Sequence, residues 1–336
     1  MKILFSAYAF RPSVGGIETV SEILAEEFVA AGHEVELITE TPGDVFDERR
    51  YGVNRCPSVK NLIALLRSSD LFFQNNISLR SLLLALLLQK RSIVVHQTWI
   101  RNTRGKIGWN GRLKRMLLGR VTNVAISDAI ARDIGAKSVV IPNPYRNDLF
   151  RILPDVARDK TLIFVGRLVS DKGVDLLLRA LAHLRREELK PDLTIVGTGP
   201  EFENLSALAR ELNLQDQVIF AGQKTGEELV RLLNQHHVMV IPSLWAEPFG
   251  VVALEGIACG CVIIGSEAGG LKEAIGPCGI TFENGNERSL ADALKRLLQD
   301  EGLAESLRSA GPQHLERFKA REIAREYLQL IEKATR

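Results

Sequence analysis

Two cations and two acids, in two short stretches, offer the clearest chemistry in this chain. Arg167 and Lys172 bracket the loop of Val165-Gly166-Arg167-Leu168-Val169-Ser170-Asp171-Lys172-Gly173, directly after an apolar run at Thr161–Val165. A guanidinium supplies forked hydrogen bonds and an ammonium a compact charge, a combination suited to a diphosphate. Either cation alone reads as a solvated surface residue; both in one loop after a strand read as an anion site. Glu247 and Glu255 belong to Pro242-Ser243-Leu244-Trp245-Ala246-Glu247-Pro248-Phe249-Gly250-Val251-Val252-Ala253-Leu254-Glu255. Pro248 suits the opening of a helix, whose first N–H groups, around Phe249, Gly250 and Val251, lack internal partners. Glu255 then falls about two turns into that helix, among apolar neighbours, where an unpartnered carboxylate is costly. Glu247 in the loop can grip sugar hydroxyls, and Glu255 can accept from both hydroxyls of a ribose.

Two glycine-rich turns accompany these groups. Gly15-Gly16 precedes a helical pattern that starts near Glu18, after the run Lys2–Ser6; at that place the glycines admit an anion to a helix N-terminus. Ile195-Val196-Gly197-Thr198-Gly199-Pro200-Glu201 begins like a dinucleotide fingerprint, but Phe202 replaces its third glycine, which disfavours a nicotinamide enzyme. Gly197 then either borders a nucleotide pocket or shapes a purely structural turn.

Such residues need a frame that holds them at strand ends. Twelve strands are expected, at Lys2–Ser6, Glu34–Thr39, Asp70–Gln74, Ser92–His96, Asn123–Ile126, Ser138–Ile141, Thr161–Val165, Leu193–Val196, Val218–Ala221, Val238–Ile241, Val262–Ile264 and Gly279–Phe282. Amphipathic helical stretches alternate with them, which predicts parallel sheets covered on both faces. Twelve strands are too many for one such sheet, so two domains are expected. Pro142, Pro144 and Pro154 punctuate a polar linker. The expected division is an acceptor-binding domain over 1–152, a donor-binding domain over 153–315 and a terminal helix over 316–336 that crosses back to the first domain. Pro312 to Arg336 reads as one long helix.

The 336 residues carry 46% apolar and 25% charged side chains with a net charge of +2, an ordinary globular composition that gives no argument for nucleic acid. Four cysteines form no CxxC pair, so neither a zinc site nor a disulfide framework is expected. The longest apolar block, Leu82–Leu88, is far shorter than a membrane span. A cytoplasmic protein is expected, with a peripheral place on the inner face of the membrane.

Residues 160–275 resemble the donor-binding domain of glycosyltransferase family 4, a retaining family of GT-B architecture. The likeness runs through VGRLVSDKG, VGTGPE, VIFAG, PSLWAEPFGVVALEGIACG and EAGGLKEAIG, and the two glutamates with seven residues between them are its hallmark. GGIETV and IPNPYRNDLF fit as well; residues 43–90 match weakly. The resemblance implies two Rossmann-like doubly wound domains facing across a cleft. It makes Arg167 and Lys172 the diphosphate ligands, Glu247 the donor-sugar contact and Glu255 the ribose contact. Gly166, Gly197 and the backbone of Phe249, Gly250 and Val251 fall to the donor, with Gly15 and Gly16 reaching its distal phosphate. His96 matches the histidine beside the transferred sugar; His236 and His237 read as structural. The linker departs from the pattern, with Asn143-Pro144 for the usual PNG and Arg146 where an acid is expected, as does Val262 at a common proline.

No DxD triplet occurs, so no metal and no other cofactor is expected, and the cations must offset the charge on the leaving diphosphate. The implied reaction moves a hexose with retention, from UDP-glucose first and GDP-mannose second, to a saccharide or lipid-linked acceptor in surface polysaccharide biosynthesis. An epimerase or hydrolase of the same fold, or a non-catalytic sugar-nucleotide-binding partner, are the alternatives. Residues 99–120 hold Arg101, Arg104, Lys106, Arg112, Lys114, Arg115 and Arg120 without an acid, with Trp109, Leu113, Met116 and Leu117 at near-helical spacing. This basic amphipathic segment can meet an anionic membrane or a lipid-linked diphosphate, or pack its apolar side inward.

Overall fold

The computed structural model describes every residue except Val14, residues 44–49 and 102–106, and Arg336. The chain forms two compact units: residues 1–145 with 318–336, and residues 146–317.

The first unit has seven strands, β1 (Lys2–Ala7), β2 (Glu34–Thr39), β3 (Gly52–Arg55), β4 (Leu71–Asn75), β5 (Ser92–His96), β6 (Thr122–Ala125) and β7 (Ser138–Val140). Its helices are α1 (Gly16–Ala30), α2 (Val59–Ser68), α3 (Leu79–Leu87), α4 (Trp109–Leu117) and α5 (Asp128–Ile134). All strands run parallel in the order β3-β2-β1-β4-β5-β6-β7, reversing at β1/β4. Central strands such as ILF in β1 and LFF in β4 are fully buried, as a sheet covered on both faces demands. Strand alternation tells which helix lies on which face. Asn75 Nδ2 donates to Ser21 Oγ on α1, while its neighbour Gln74 donates to Ser81 Oγ on α3. His96, in register with Gln74's face through Val94, bonds Asn123, which in turn donates to Leu118 O after α4. So α1 covers one face, and α3 and α4 the other; α2 packs beside α3.

The second unit has β8 (Lys160–Val165), β9 (Leu193–Val196), β10 (Val218–Gly222), β11 (His236–Ile241), β12 (Val262–Ser266) and β13 (Gly279–Phe282). They form a parallel sheet in the order β10-β9-β8-β11-β12-β13. Around it lie α6 (Val174–Arg186), α7 (Phe202–Glu211), α8 (Gly226–Gln235), α9 (Val251–Ala258), α10 (Leu271–Ile275), α11 (Glu287–Gln299), α12 (Glu301–Ser309) and α13 (Gly311–Glu316). The last helix, α14 (Ala320–Thr335), belongs to the first unit and packs on α1.

Two expectations are corrected. The described residues contain thirteen strands, not twelve, because β3 is a four-residue edge strand with no apolar run. The long terminal helix is broken into α13 and α14. At the break, Tyr145 N donates to Phe318 O and Tyr145 bridges Lys319, which pulls these residues out of helical geometry.

Tyr327 of α14 fills an aromatic cluster with Phe28 and Phe73, at centroid distances of 6.5 and 5.4 Å. Its hydroxyl is buried without a hydrogen-bond partner, and burial raises its pKa. An unmet buried hydroxyl costs about 1–3 kcal/mol. Tyr327→Phe is therefore expected to leave stability unchanged or raise it by about 1 kcal/mol, read as a denaturant midpoint no lower than the parent's.

Candidate functional site

In the second unit the loops at the carboxyl ends of β8, β9, β11 and β12 are stitched together by backbone. Gly166 N donates to Val196 O at 3.0 Å, Leu168 N to Thr198 O at 2.9 Å and Leu244 N to Asp171 O at 2.9 Å. Gly270 N donates to Glu247 O at 2.7 Å. Gly197, at φ 145°, lies so close to the next loop that an added Cβ would sit 1.8 Å from Gly166 O. This gives the Gly197-Thr198-Gly199 turn a packing reason.

Within this weave Lys172 Nζ lies 2.6 Å from Glu247 Oε1, both side chains largely shielded. Ser243 Oγ donates to the same oxygen at 2.7 Å. Lys172 ends a 3-10 turn, Ser170–Lys172, which Gly173 closes at φ 66°. The ion pair therefore joins the loop after β8 to the loop after β11. Arg167 sits in the first of these loops, exposed, with no side-chain hydrogen bond or ion pair among the described residues. Neither Arg167 nor Glu255 is bonded to the Lys172–Glu247 pair.

Gly250, at φ 104°, is the N-cap of α9, and no side chain caps that helix. Its first N–H groups are thereby left for an outside acceptor. Phe249 is buried and anchors the turn. Pro248 does not open α9, which starts three residues later at Val251, and Glu255 is its fifth residue, little more than one turn in. The earlier loop residues are held by Glu247's pairing with Gly269 rather than wound into the helix.

Loss of water pushes the Glu255 carboxyl up to about 8, with the positive charge of Arg146 acting the other way. Because the unfolded carboxyl titrates near 4.5, the folded chain is penalised once the pH rises above that value, and the penalty stops growing above about 8. Glu255→Gln should match the parent's stability at pH 4. It should then become the more stable chain as pH rises to 8, by at most about 1.4 kcal/mol per pH unit. Parallel pH–melting curves for the two would contradict this.

In the first unit Gly15 is the N-cap of α1 and Gly16 its first residue. A Cβ added to Gly16 would meet nothing within 4 Å, so packing does not explain that glycine. His96 is fully buried at the end of β5, its Nε2 3.1 Å from Asn123 Oδ1 and its Nδ1 without a partner. The Asn123 amide nitrogen already donates to Leu118 O, so the histidine must donate from Nε2, leaving a bare lone pair on Nδ1. Burial lowers its pKa to about 4. Near pH 7 His96 is thus neutral, donating from Nε2 and with Nδ1 open to accept.

Sequence reasoning missed Ser243, although it lies inside the quoted motif. It also missed a buried amide chain beside His96. Gln97 Nε2 donates to Asn75 Oδ1 and Asn143 Oδ1 at 2.8 and 2.9 Å, and Asn143 Nδ2 returns a bond to Gln97 Oε1 at 2.7 Å. Amides directly following the apolar runs of β4 and β5 were the available signal, since buried amides require partners. His236, bonded to Leu232 O and Thr194 Oγ1, is held as a packing residue. Of the basic segment, Arg104 and Lys106 lie outside the described residues. Leu117 is buried and Leu113 half-buried, but Trp109 and Met116 face solvent, so the apolar residues do not share one inward side. Arg101 and Arg115 both lean on buried Asp133. Among the described residues no group of three or more metal-ligating side chains occurs, and no helix is long and apolar enough to cross a membrane.

Known proteins share both halves. The family model described as glycosyl transferases group 1 matches residues 146–314, half of the chain, and the one described as glycosyltransferase family 4 matches residues 14–149. The chain is 39% identical over 150 residues to an uncharacterized glycosyltransferase of Methanocaldococcus jannaschii, covering 44% of this chain and 38% of that protein. It is 35% identical over 170 residues to a D-inositol 3-phosphate glycosyltransferase of Corynebacterium jeikeium, covering 48% and 40%. It is 31% identical over 238 residues to another of that name from Stackebrandtia nassauensis, covering 60% and 53%. The matches thus span about half or less of these relatives' lengths. Anabaena HepE, solved in complex with UDP and glucose, superimposes with a TM-score of 0.83 at 20% identity, covering 99% of this chain and 100% of that one. Sucrose-phosphate synthase from Thermosynechococcus elongatus does so with 0.80 at 22%, covering 99% and 98%. Motifs, paired parallel-sheet units and these likenesses agree: the chain belongs to the group 1, family 4 glycosyltransferases and has their GT-B fold.

Proposed function

We propose that the protein is a retaining, metal-independent hexosyltransferase that moves a sugar from a nucleotide diphosphate donor to a saccharide or lipid-linked acceptor. UDP-glucose is the first candidate donor, and surface polysaccharide assembly the setting. The observation that carries the reading is the Lys172–Glu247–Ser243 cluster, which joins two strand-end loops beside the unpaired cation Arg167. In this reading Arg167 and Lys172 hold the diphosphate and offset the charge it gains as the glycosidic bond breaks. Glu247, fixed by Lys172 and Ser243, orients the sugar hydroxyls and is no nucleophile. Glu255 takes the ribose hydroxyls; Gly166, Gly197 and the backbone of Phe249, Gly250 and Val251 border the donor, and Gly15 and Gly16 leave the start of α1 open to a phosphate. His96 contributes at most the acceptor lone pair of Nδ1. The leaving phosphate takes the acceptor's proton as the hydroxyl attacks from the same face. Peripheral association with an anionic membrane through residues 99–120, on the cytoplasmic side, brings the enzyme to a lipid-linked acceptor.

Thermal shift with UDP, GDP and ADP tests the donor, because a ligand of the native state alone raises the melting temperature. UDP is expected to raise it most, by an amount unchanged in excess chelator. Hydrolysis of UDP-glucose without acceptor is expected to be slow but measurable, and equally indifferent to chelator. Nucleotide binding with no turnover of any sugar nucleotide would instead favour a non-catalytic binding partner.

A further inference from the structure

Outside the site just described, the least ordinary surface of the molecule is the outer side of α2, α3 and α4. From Cys56 to Ser127 the sequence carries twelve Lys and Arg and one acid, Asp70, whose carboxylate accepts from Lys2 N. The outward residues recur every three or four positions along α3 and α4, which keeps them on one side of each helix. On α4 and the turn after it the stripe is Trp109, Arg112, Met116 and Arg120, all exposed, Trp109 at 78% and Met116 at 67%. Along α3 and just beyond, it is Arg80, Leu83, Leu87 and Arg91, with Leu87 at 77%. On α2, Val59, Lys60, Ala64 and Arg67 are exposed. Lys60, Arg67, Arg112 and Arg120 have no ion pair among the described residues. Because α3 and α4 cover the same face of the sheet and α2 packs on α3, the three stripes belong to one side of the unit.

We propose that this three-helix side, and not residues 99–120 alone, docks the protein on an anionic lipid bilayer. Large apolar side chains interleaved with cations match the two layers of a bilayer surface. Trp109, Met116, Leu83 and Leu87 enter the acyl boundary, while the arginines and lysines meet lipid phosphates. A protein partner with an acidic surface would match the cations but would need a separate pocket for the leucines of α3 and for Trp109 and Met116 of α4. A fluid interface needs none. The docking depends on the first unit only and is independent of the transfer reaction.

The test is flotation of the full chain with vesicles of phosphatidylcholine, with and without about one third phosphatidylglycerol, at low and high salt. Binding is expected only with the anionic lipid, weakening as salt rises. Three double variants divide the face: Lys60→Glu with Arg67→Glu, Leu83→Glu with Leu87→Glu, and Trp109→Glu with Met116→Glu. The Lys60/Arg67 variant should lower the bound fraction at least about tenfold, given roughly fivefold per cation. The two apolar variants should lower it too, through lost insertion and added negative charge. Arg321→Glu with Lys333→Glu, on α14, should leave it unchanged. Far-ultraviolet dichroism and UDP binding show that each variant is folded. Loss confined to the α4 variant would overturn the three-helix face, as would equal binding to neutral vesicles. So would lipid-free self-association of the parent that the same variants abolish. A folded parent that transfers sugar but ignores vesicles refutes the docking and spares the transferase reading; vesicle binding without transfer does the reverse.

Discussion

Arg167→Ala and Lys172→Ala should each lower kcat for sugar transfer at least about 100-fold, the usual effect of removing one group that meets charge developing in a transition state. The two will differ in what else they change. Arg167 is exposed and has no side-chain bond among the described residues, so its truncation should shift stability by no more than about 0.5 kcal/mol. Lys172 is the partner of Glu247, and its loss leaves a half-buried carboxylate held, among the described residues, by Ser243 alone. Lys172→Ala should therefore lower the melting temperature as well, and Lys172→Met combined with Glu247→Gln should restore it without restoring transfer. Turnover of either single variant within a few-fold of the parent would remove these cations from the mechanism.

Gly197→Ala should be the most damaging single-methyl change in the second unit, costing more than about 4 kcal/mol. Its Cβ would have to occupy a point 1.8 Å from the Gly166 carbonyl, and φ of 145° is a conformation that side chains rarely adopt. Neither conflict can relax alone, because Gly166 N and Leu168 N tie the same two loops together. Gly173→Ala carries the same kind of clash, 2.0 Å from Pro242 O. Gly16→Ala is the instructive contrast. It has open space, so the fold should tolerate it, and any fall in transfer would report a ligand that needs close approach to α1. A folded Gly197→Ala chain with the parent's melting temperature would show that the loops are not locked as described.

Much of this was legible in the sequence for a simple reason. Parallel strands buried on both faces are continuous apolar runs, and VVH, LIFV and VIIG announce themselves. Loop motifs flanking such runs must fall at strand ends, which brings the loops of Lys172 and Glu247 together without coordinates. What stayed hidden depends on distance along the chain. β3 has no apolar signal because an edge strand needs none. The break before α14 is set by Tyr145, more than a hundred residues upstream. The burial of His96 and its tautomer depend on Asn123, and nothing local to the SIVVH run specifies that partner. Spacing left the direction of α4 open: the pattern of Trp109 and Met116 is helical, but only packing decides which way a helix turns its apolar stripe.

The return of α14 to the first unit has a consequence for biogenesis. Phe28 and Phe73 are translated early, while Tyr327, which closes their cluster, is translated after the whole second unit. On the ribosome the contiguous segment 146–317 can reach its native contacts while the earlier one still waits with open aromatic surface. Nascent chains stalled before Phe318 would expose that surface to chaperones, and emergence of α14 is the event that seals the first unit.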